Sequence, residues 1–153
     1  MLADQQVKAE EIIEFFASAA DQGAKRGICV GTAEECDQAS PKPAGLDMLV
    51  NFNLDSADLT DDARLKLGEF AKALRDNRLR AHSFVVEGHT DASGSTFYNE
   101  ELSQRRAQSV TSFLLSNGIE QARISAVGMG ETHPRAADPY DPANRRVEMR
   151  ISQ

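Results

Sequence analysis

Two charged residues carry the clearest chemistry in this chain. In "FVVEGHTDASGSTFYNEELSQRRAQSV", Phe84 to Val110, Asp91 sits at the mouth of a loop and Arg106 follows fifteen residues later. The stretch reads as strand, loop, helix. On the helix, Leu102, Val110, Phe113 and Leu114 share one face at about 100° per residue, and Arg106 falls inside that stripe. Arg105 falls towards its edge, where a solvated charge belongs. A guanidinium keeps its proton, so a partly buried one needs an anion or several acceptors. Two arrangements satisfy Arg106. One is an internal salt bridge, to Asp91 or Glu87. The other is an external carboxylate. Arginine side chains lean towards the helix N-terminus, where the "HTDASG" loop sits. The helix rises roughly 10 Å from Asn99 to Arg106. That leaves room for a small zwitterion, its cation on Asp91 and its carboxylate on Arg106. Loop N–H groups and the helix N-terminus add donors for an anion.

The other candidates are weaker. His82, His89 and His133 lie on different elements with no short-spaced pair, which argues against a metal centre. His89 beside Asp91 has the outline of a hydrolase site, but no nucleophile motif or second carboxylate cluster accompanies it. His89 is read as a hydrogen bonder that shapes the loop. Asn144 and Arg145 precede the last strand. Arg145 shares parity with Val147, so it either reaches inward to lock the Asp91 loop or stays a strand-edge charge. Gly88, Gly94, Gly128 and Gly130 suit tight turns and close approach. "GMGETH" is no phosphate loop, lacking a third glycine and a following Lys-Ser or Lys-Thr. Cys29 and Cys36 have six residues between them, a comfortable loop for a disulfide, with two reduced thiols as the alternative. No further ligands are spaced nearby for zinc.

The elements that must position these residues follow from periodicity and caps. Residues 1–44 form an N-terminal segment. "VKAEEIIEFFASAADQ" is an amphipathic helix with Ile12, Phe15, Phe16 and Ala19 on one side, then come the cysteine loop and a linker, "QASPKPAG". Residues 45–153 form the main domain. "LDMLVNFNL" is a first strand. Thr60 caps a helix whose first turn holds Asp61 and Asp62, with Leu67, Phe70, Ala71 and Leu74 at helical spacing. "HSFVVEG" is a second strand. The arginine-bearing helix starts near Ser95 or Thr96 and stops at Asn117-Gly118. "RISAVGMG" and "RVEMRI" are the last two strands, the second with Val147, Met149 and Ile151 on one face. The order is β-α-β-α-β-β. Parallel strands need crossover helices, and the last two strands can pair without one. The expected architecture is an α+β two-layer sandwich, a mixed four-stranded sheet with helices on one face.

Bulk properties narrow the function. The chain has 153 residues, 41% hydrophobic and 27% charged, ordinary for a globular protein. A net charge of -7 argues against a nucleic-acid partner, which requires a basic surface. No apolar run approaches about 18 residues, and the N-terminus lacks a signal-peptide pattern, so membrane association is expected only through a segment outside this chain. The oligomeric state stays open, homodimer included.

With those residues in hand, the chain resembles the OmpA-like peptidoglycan-binding domain family over about Leu46 to Ile151. The resemblance rests on "NFNLDSADLT", "VEGHTDASGSTFYNEELSQRRAQSV", "GMGETHP" and "NRRVEMRI", in that order. It implies a non-enzymatic binder of the peptidoglycan stem peptide, in the periplasm and associated with the outer membrane, with no cofactor. It implies that Asp91 and Arg106 hold meso-diaminopimelate. The same resemblance lines the pocket with Thr90, Tyr98, Leu102 and the end of the first strand, where the family often has Phe-Asp and this chain has Leu54-Asp55. His89, Asn99, Asn144 and Arg145 then support the pocket from behind. An exported family is consistent with a Cys29–Cys36 bridge. Two other readings stand beside it: the same fold used as a protein-interaction module through the N-terminal helix, and a hydrolase built on His89 and Asp91.

Overall fold

The computed structural model describes residues 8–25 (the side chains of 21–25 excepted), 45–48, 50, 52, 56–133 and 137–152. Cys29, Cys36, Leu54 and Asp55 lie outside the described residues. The elements are α1 (Ala9–Lys25), β1 (Leu46–Asp47), α2 (Asp61–Arg75), β2 (Ser83–Gly88), α3 (Thr96–Ser116), β3 (Ile124–Gly128) and β4 (Val147–Ser152), with 3-10 turns at Gln121–Arg123 and Pro142–Asn144. This is the α+β arrangement expected, with three helices among the described residues and a mixed four-stranded sheet.

Local chemistry sets the helix ends. Thr60 Oγ1 accepts from Ala63 N at 3.1 Å, and Ser95 Oγ accepts from Tyr98 N at 3.2 Å, so each hydroxyl satisfies an N–H the helix leaves open. Gly118, at φ 94°, carries the chain out of α3 through the left-handed region. At α1 a neighbour does the capping: Glu69 Oε2 on α2 accepts from Ala9 N at 3.0 Å.

The sheet order is β1-β4-β2-β3, so the last two strands, which could pair without a crossover helix, are not neighbours. β3 runs parallel to β2, with Gly88 opposite Gly128, and α3 makes the crossover. β4 inserts between β1 and β2, antiparallel to both. The reason is the length of the connection after β3. It carries the chain back across β2, so β4 takes a central place and its inward Val147, Met149 and Ile151 are buried from both sides. The consequence is functional: Val147 pairs with Gly88, so the residues just before β4 meet the loop just after β2.

The core lies on the helix side of the sheet. Phe84 and Val86 on β2, Met149 and Ile151 on β4, Leu67, Phe70 and Leu74 on α2, and Val110 and Leu114 on α3 form one buried cluster. Ile12, Ile13 and Phe16 of α1 join it, and the Phe16 ring meets Phe84 edge-on with centroids 5.0 Å apart. Each such side chain, once buried, contributes about 1.5–3 kcal/mol. β1 is assigned only at Leu46–Asp47. Met48 N still donates to Val147 O at 3.0 Å, and Met48, Val50 and Phe52 are buried at every second position.

Two glycines fix how close α3 comes. A Cβ at Gly88 would stand 2.0 Å from the Ser103 carbonyl oxygen, and one at Gly128 2.5 Å from Gln104 N. The backbone of α3 therefore rests directly on the C-terminal ends of β2 and β3. That contact is stitched: Gln104 Nε2 donates to Ala126 O at 3.2 Å, Gly128 N to Gln104 Oε1 at 2.8 Å, and Gly130 N to Ser103 Oγ at 2.9 Å.

Candidate functional site

Arg106 is the largest fully buried side chain described. The helical stripe that holds it also holds Leu102, Val110 and Leu114, all buried. Its Nε donates to the Ser56 carbonyl at 2.9 Å, beyond the end of the first strand, and its Nη1 to the His89 carbonyl at 3.4 Å. The Phe52 ring lies against the guanidinium, its centroid 5.0 Å from Cζ, in cation–π range. The charge thus sits where the first strand, the loop after β2 and α3 converge.

Asp91 is buried beside that point, but it does not pair with Arg106. Its Oδ2 accepts from Arg145 Nη1 at 2.8 Å, and its Oδ1 from Ser93 N at 2.9 Å. Burial pushes the Asp91 carboxyl up. The Arg145 hydrogen bond and the Ser93 bonds outweigh that and hold it below the usual carboxylate range. Glu87, the other internal partner considered for Arg106, is bonded to Arg150 on the opposite face of the sheet. Of the two readings of Arg145, the structure shows the inward reach onto the Asp91 loop.

The remaining candidates gather around the same loop. Thr90 N donates to Gly130 O at 2.9 Å, and its hydroxyl is buried with no hydrogen-bond partner among the described residues. Tyr98 is half-buried beside Gly94, where a Cβ would lie 3.4 Å from its ring. Leu102, one turn before Arg106, is buried yet stands outside the main hydrophobic cluster. Asn99 Nδ2 donates to Glu131 Oε1 at 3.3 Å. Asn144 is fully buried and donates to the Asp138 carbonyl at 3.0 Å and to Pro139 O at 3.3 Å, fixing the turn that delivers Arg145. Leu54 and Asp55 fall outside the described residues.

His89 faces two ways. Its backbone N–H donates to Arg146 O at 2.8 Å, and its carbonyl accepts from Arg106. Its ring lies on the open face of the sheet, with Nε2 3.2 Å from Glu148 Oε2. The His89 imidazole is the largest influence holding Glu148 down to about 2; burial opposes it, and the Arg146 charge adds to it. No cluster of three metal-ligating side chains occurs among the described residues.

Several contributors had no sequence signal of their own: Ser56, which acts through its backbone; Ser93; and Ser103 and Gln104 on α3. Phe52 shares parity with Met48 and Val50, and that alternation was the one clue to its inward position.

The OmpA family matches residues 51–148. Outer membrane protein A of Escherichia fergusonii is 40% identical over 103 residues, covering 67% of this chain and 42% of that protein. Outer membrane protein A of Klebsiella pneumoniae is 38% identical over 103 residues, covering 67% of this chain and 29% of that protein. The chain therefore spans less than half the length of these relatives. Among solved structures, the peptidoglycan-associated lipoprotein from Burkholderia pseudomallei matches with TM-score 0.61 and 30% identity, covering 67% of this chain and 88% of that one. The C-terminal domain of Helicobacter pylori MotB matches with TM-score 0.61 and 25% identity, covering 68% and 82%. On the family match across most of the fold just described, the chain belongs to the OmpA family, whose domains are non-enzymatic and typically bind peptidoglycan in envelope proteins.

Proposed function

We propose that this chain binds diaminopimelate-type peptidoglycan without covalent chemistry, in the periplasm, and so anchors an outer-membrane or envelope protein to the cell wall. One observation carries the reading. Asp91, in the loop before α3, and Arg106, midway along α3, are opposite charges buried where that loop meets the helix, yet each is held by other protein groups and the two do not pair. A diaminopimelate side chain ends in an ammonium and a carboxylate on one carbon. Its ammonium suits Asp91, already ionised and oriented by Arg145 and Ser93. Its carboxylate suits Arg106, whose guanidinium forms charge-assisted, planar hydrogen bonds with a carboxylate. Arg106 is fully buried, so the ligand carboxylate has to reach it through the loop after β2. The buried Thr90 hydroxyl is placed to donate to the ligand, with Tyr98 and Leu102 as the apolar wall.

The interaction-module reading has less support, because the apolar face of α1 already covers the core through Ile12, Ile13 and Phe16. The test is co-sedimentation with purified sacculi. Wild type should pellet with them and Arg106→Ala should stay in the supernatant while keeping its far-UV spectrum. A folded Arg106→Ala that pellets as well as wild type would overturn the reading.

A further inference from the structure

A second cleft begins where the Arg106 site ends. It has a volume of about 650 Å³ and runs between the segment leading into α2 and the outer face of α3. Ser56 belongs to both places: its carbonyl accepts from Arg106 Nε, and the residue also lines the cleft. Further along stand Asp58 and Arg64 on one side and Arg105, Ser109 and Ser112 on the other. Arg105 makes no side-chain hydrogen bond or ion pair with any described residue. Arg64 is held only loosely, 3.6 Å from a fully exposed Asp61. On a chain of net charge -7, two guanidiniums facing one cleft are a local reversal of sign. Asp58 on the rim offsets part of it.

We propose that this cleft is a second subsite, in which Arg105 and Arg64 take a further carboxylate of the stem peptide whose diaminopimelate sits on Asp91 and Arg106. The inference rests on the reading under Proposed function and deepens it. The stem peptide carries carboxylates besides the one on the diaminopimelate side chain. A peptide leaving Arg106 over Ser56 enters this cleft directly. Both arginines are solvent-accessible, so they add selectivity for charge and sensitivity to salt, and only a modest part of the affinity.

The test is calorimetric titration of three probes: free meso-diaminopimelate, the stem tetrapeptide, and the tetrapeptide with every carboxylate amidated except that on the diaminopimelate side chain. Wild type should bind the native tetrapeptide about fivefold more tightly than the amidated one, with the difference shrinking at high salt. Arg64→Ala combined with Arg105→Ala should erase that preference and leave the affinity for free diaminopimelate unchanged. Asp58→Asn should widen the preference. Arg80→Ala, an exposed arginine elsewhere, should do nothing. The inference falls if the double variant keeps the preference, or if it loses free diaminopimelate to the same extent as the tetrapeptide. Wild type that binds diaminopimelate with no preference between the tetrapeptides overturns this subsite alone. Wild type that binds none of the three overturns the peptidoglycan reading and the subsite with it.

Discussion

The ends of β2 and β4 carry two charged clusters back to back, and they are built differently. On the open face of the sheet, Glu87 bonds to Arg150, and Glu148 takes Arg146 at 3.0 Å with His89 beside it. All of these lie on β2, β4 or the residues adjoining them, with Glu87 directly opposite Glu148 in the register. Two like charges facing each other are unfavourable, and the flanking arginines offset the repulsion. Strand geometry dictates the whole set. On the helix side the charges come from three separate segments: Asp91 from a loop, Arg145 from the approach to β4, Arg106 from the middle of α3. There Asp91 takes Arg145, while the contacts of Arg106 with described residues include two carbonyls and a ring. Adjacent residues 145 and 146 serve opposite faces because side chains alternate along an extended chain. The open-face cluster is a lock in which each carboxylate is paired with a neighbouring arginine. The helix-side cluster keeps two opposite charges apart.

The two clusters break differently. Glu148→Ala leaves Arg146, which is buried, without its carboxylate. Stranding one partner of a buried pair costs about 3–5 kcal/mol. Urea denaturation should show that loss, and sacculus binding at low temperature should survive in the folded fraction. A Glu148→Ala protein as stable as wild type would remove the distinction between lock and site.

Acid should act on the lock as well. The folded-state pKa of Glu148 lies below its ordinary value of 4.5, at about 2. A depressed carboxylate contributes stability that is fully present above its unfolded pKa and disappears as pH falls through the folded one. The contribution is thus present above about pH 4.5 and is lost between there and about pH 2. Asp91 adds to the loss in the same direction. Glu148→Gln should flatten the stability profile across that window; an unchanged slope would assign the acid sensitivity elsewhere.

Much of this was legible in the sequence because it is local. Thr60, Ser95 and Gly118 mark helix ends through groups within a few residues. The misplaced charge of Arg106 shows in a single helical wheel, and the inward face of β4 in a simple alternation. What stayed hidden depends on distant pairing. The insertion of β4 between β1 and β2 is a choice among strand orders that no local pattern encodes, and it alone decides that Asp91 meets Arg145. The acceptors of Arg106 were hidden for a related reason. Ser56 lies fifty residues away and contributes a carbonyl that every residue type possesses.

The helix-side cluster is sharpened by asking which peptidoglycan it reads. Lysine lacks the carboxylate that diaminopimelate carries beside its terminal ammonium. A lysine-type stem peptide would satisfy Asp91 and bring Arg106 no ligand carboxylate. Losing one charge-assisted bond costs about 1.5–3 kcal/mol, a preference of roughly 10- to 100-fold for the diaminopimelate form. Arg106→Lys should recover little of it, since an ammonium lacks the planar fork. Titration of the two stem peptides against the protein decides the point, and equal affinity would refute the role given to Arg106.

The smallest expected effect is on stability, and it separates the two clusters most cleanly. Asp91→Asn keeps the oxygen that accepts from Ser93 N. It removes the charge from Arg145, whose side chain retains 21% of its exposure and can turn to water. The pair therefore behaves more like a partly exposed bridge than a buried one, and its loss should cost about 1 kcal/mol. In a chain of this size that is about 2–4 °C of melting temperature. The same change should abolish sacculus binding, because a neutral amide offers no negative charge to the ligand ammonium. Thermal melting and co-sedimentation on one preparation give both numbers. A melting temperature lowered as far as in Glu148→Ala, with binding retained, would make Asp91 a second lock whose purpose is to hold Arg145.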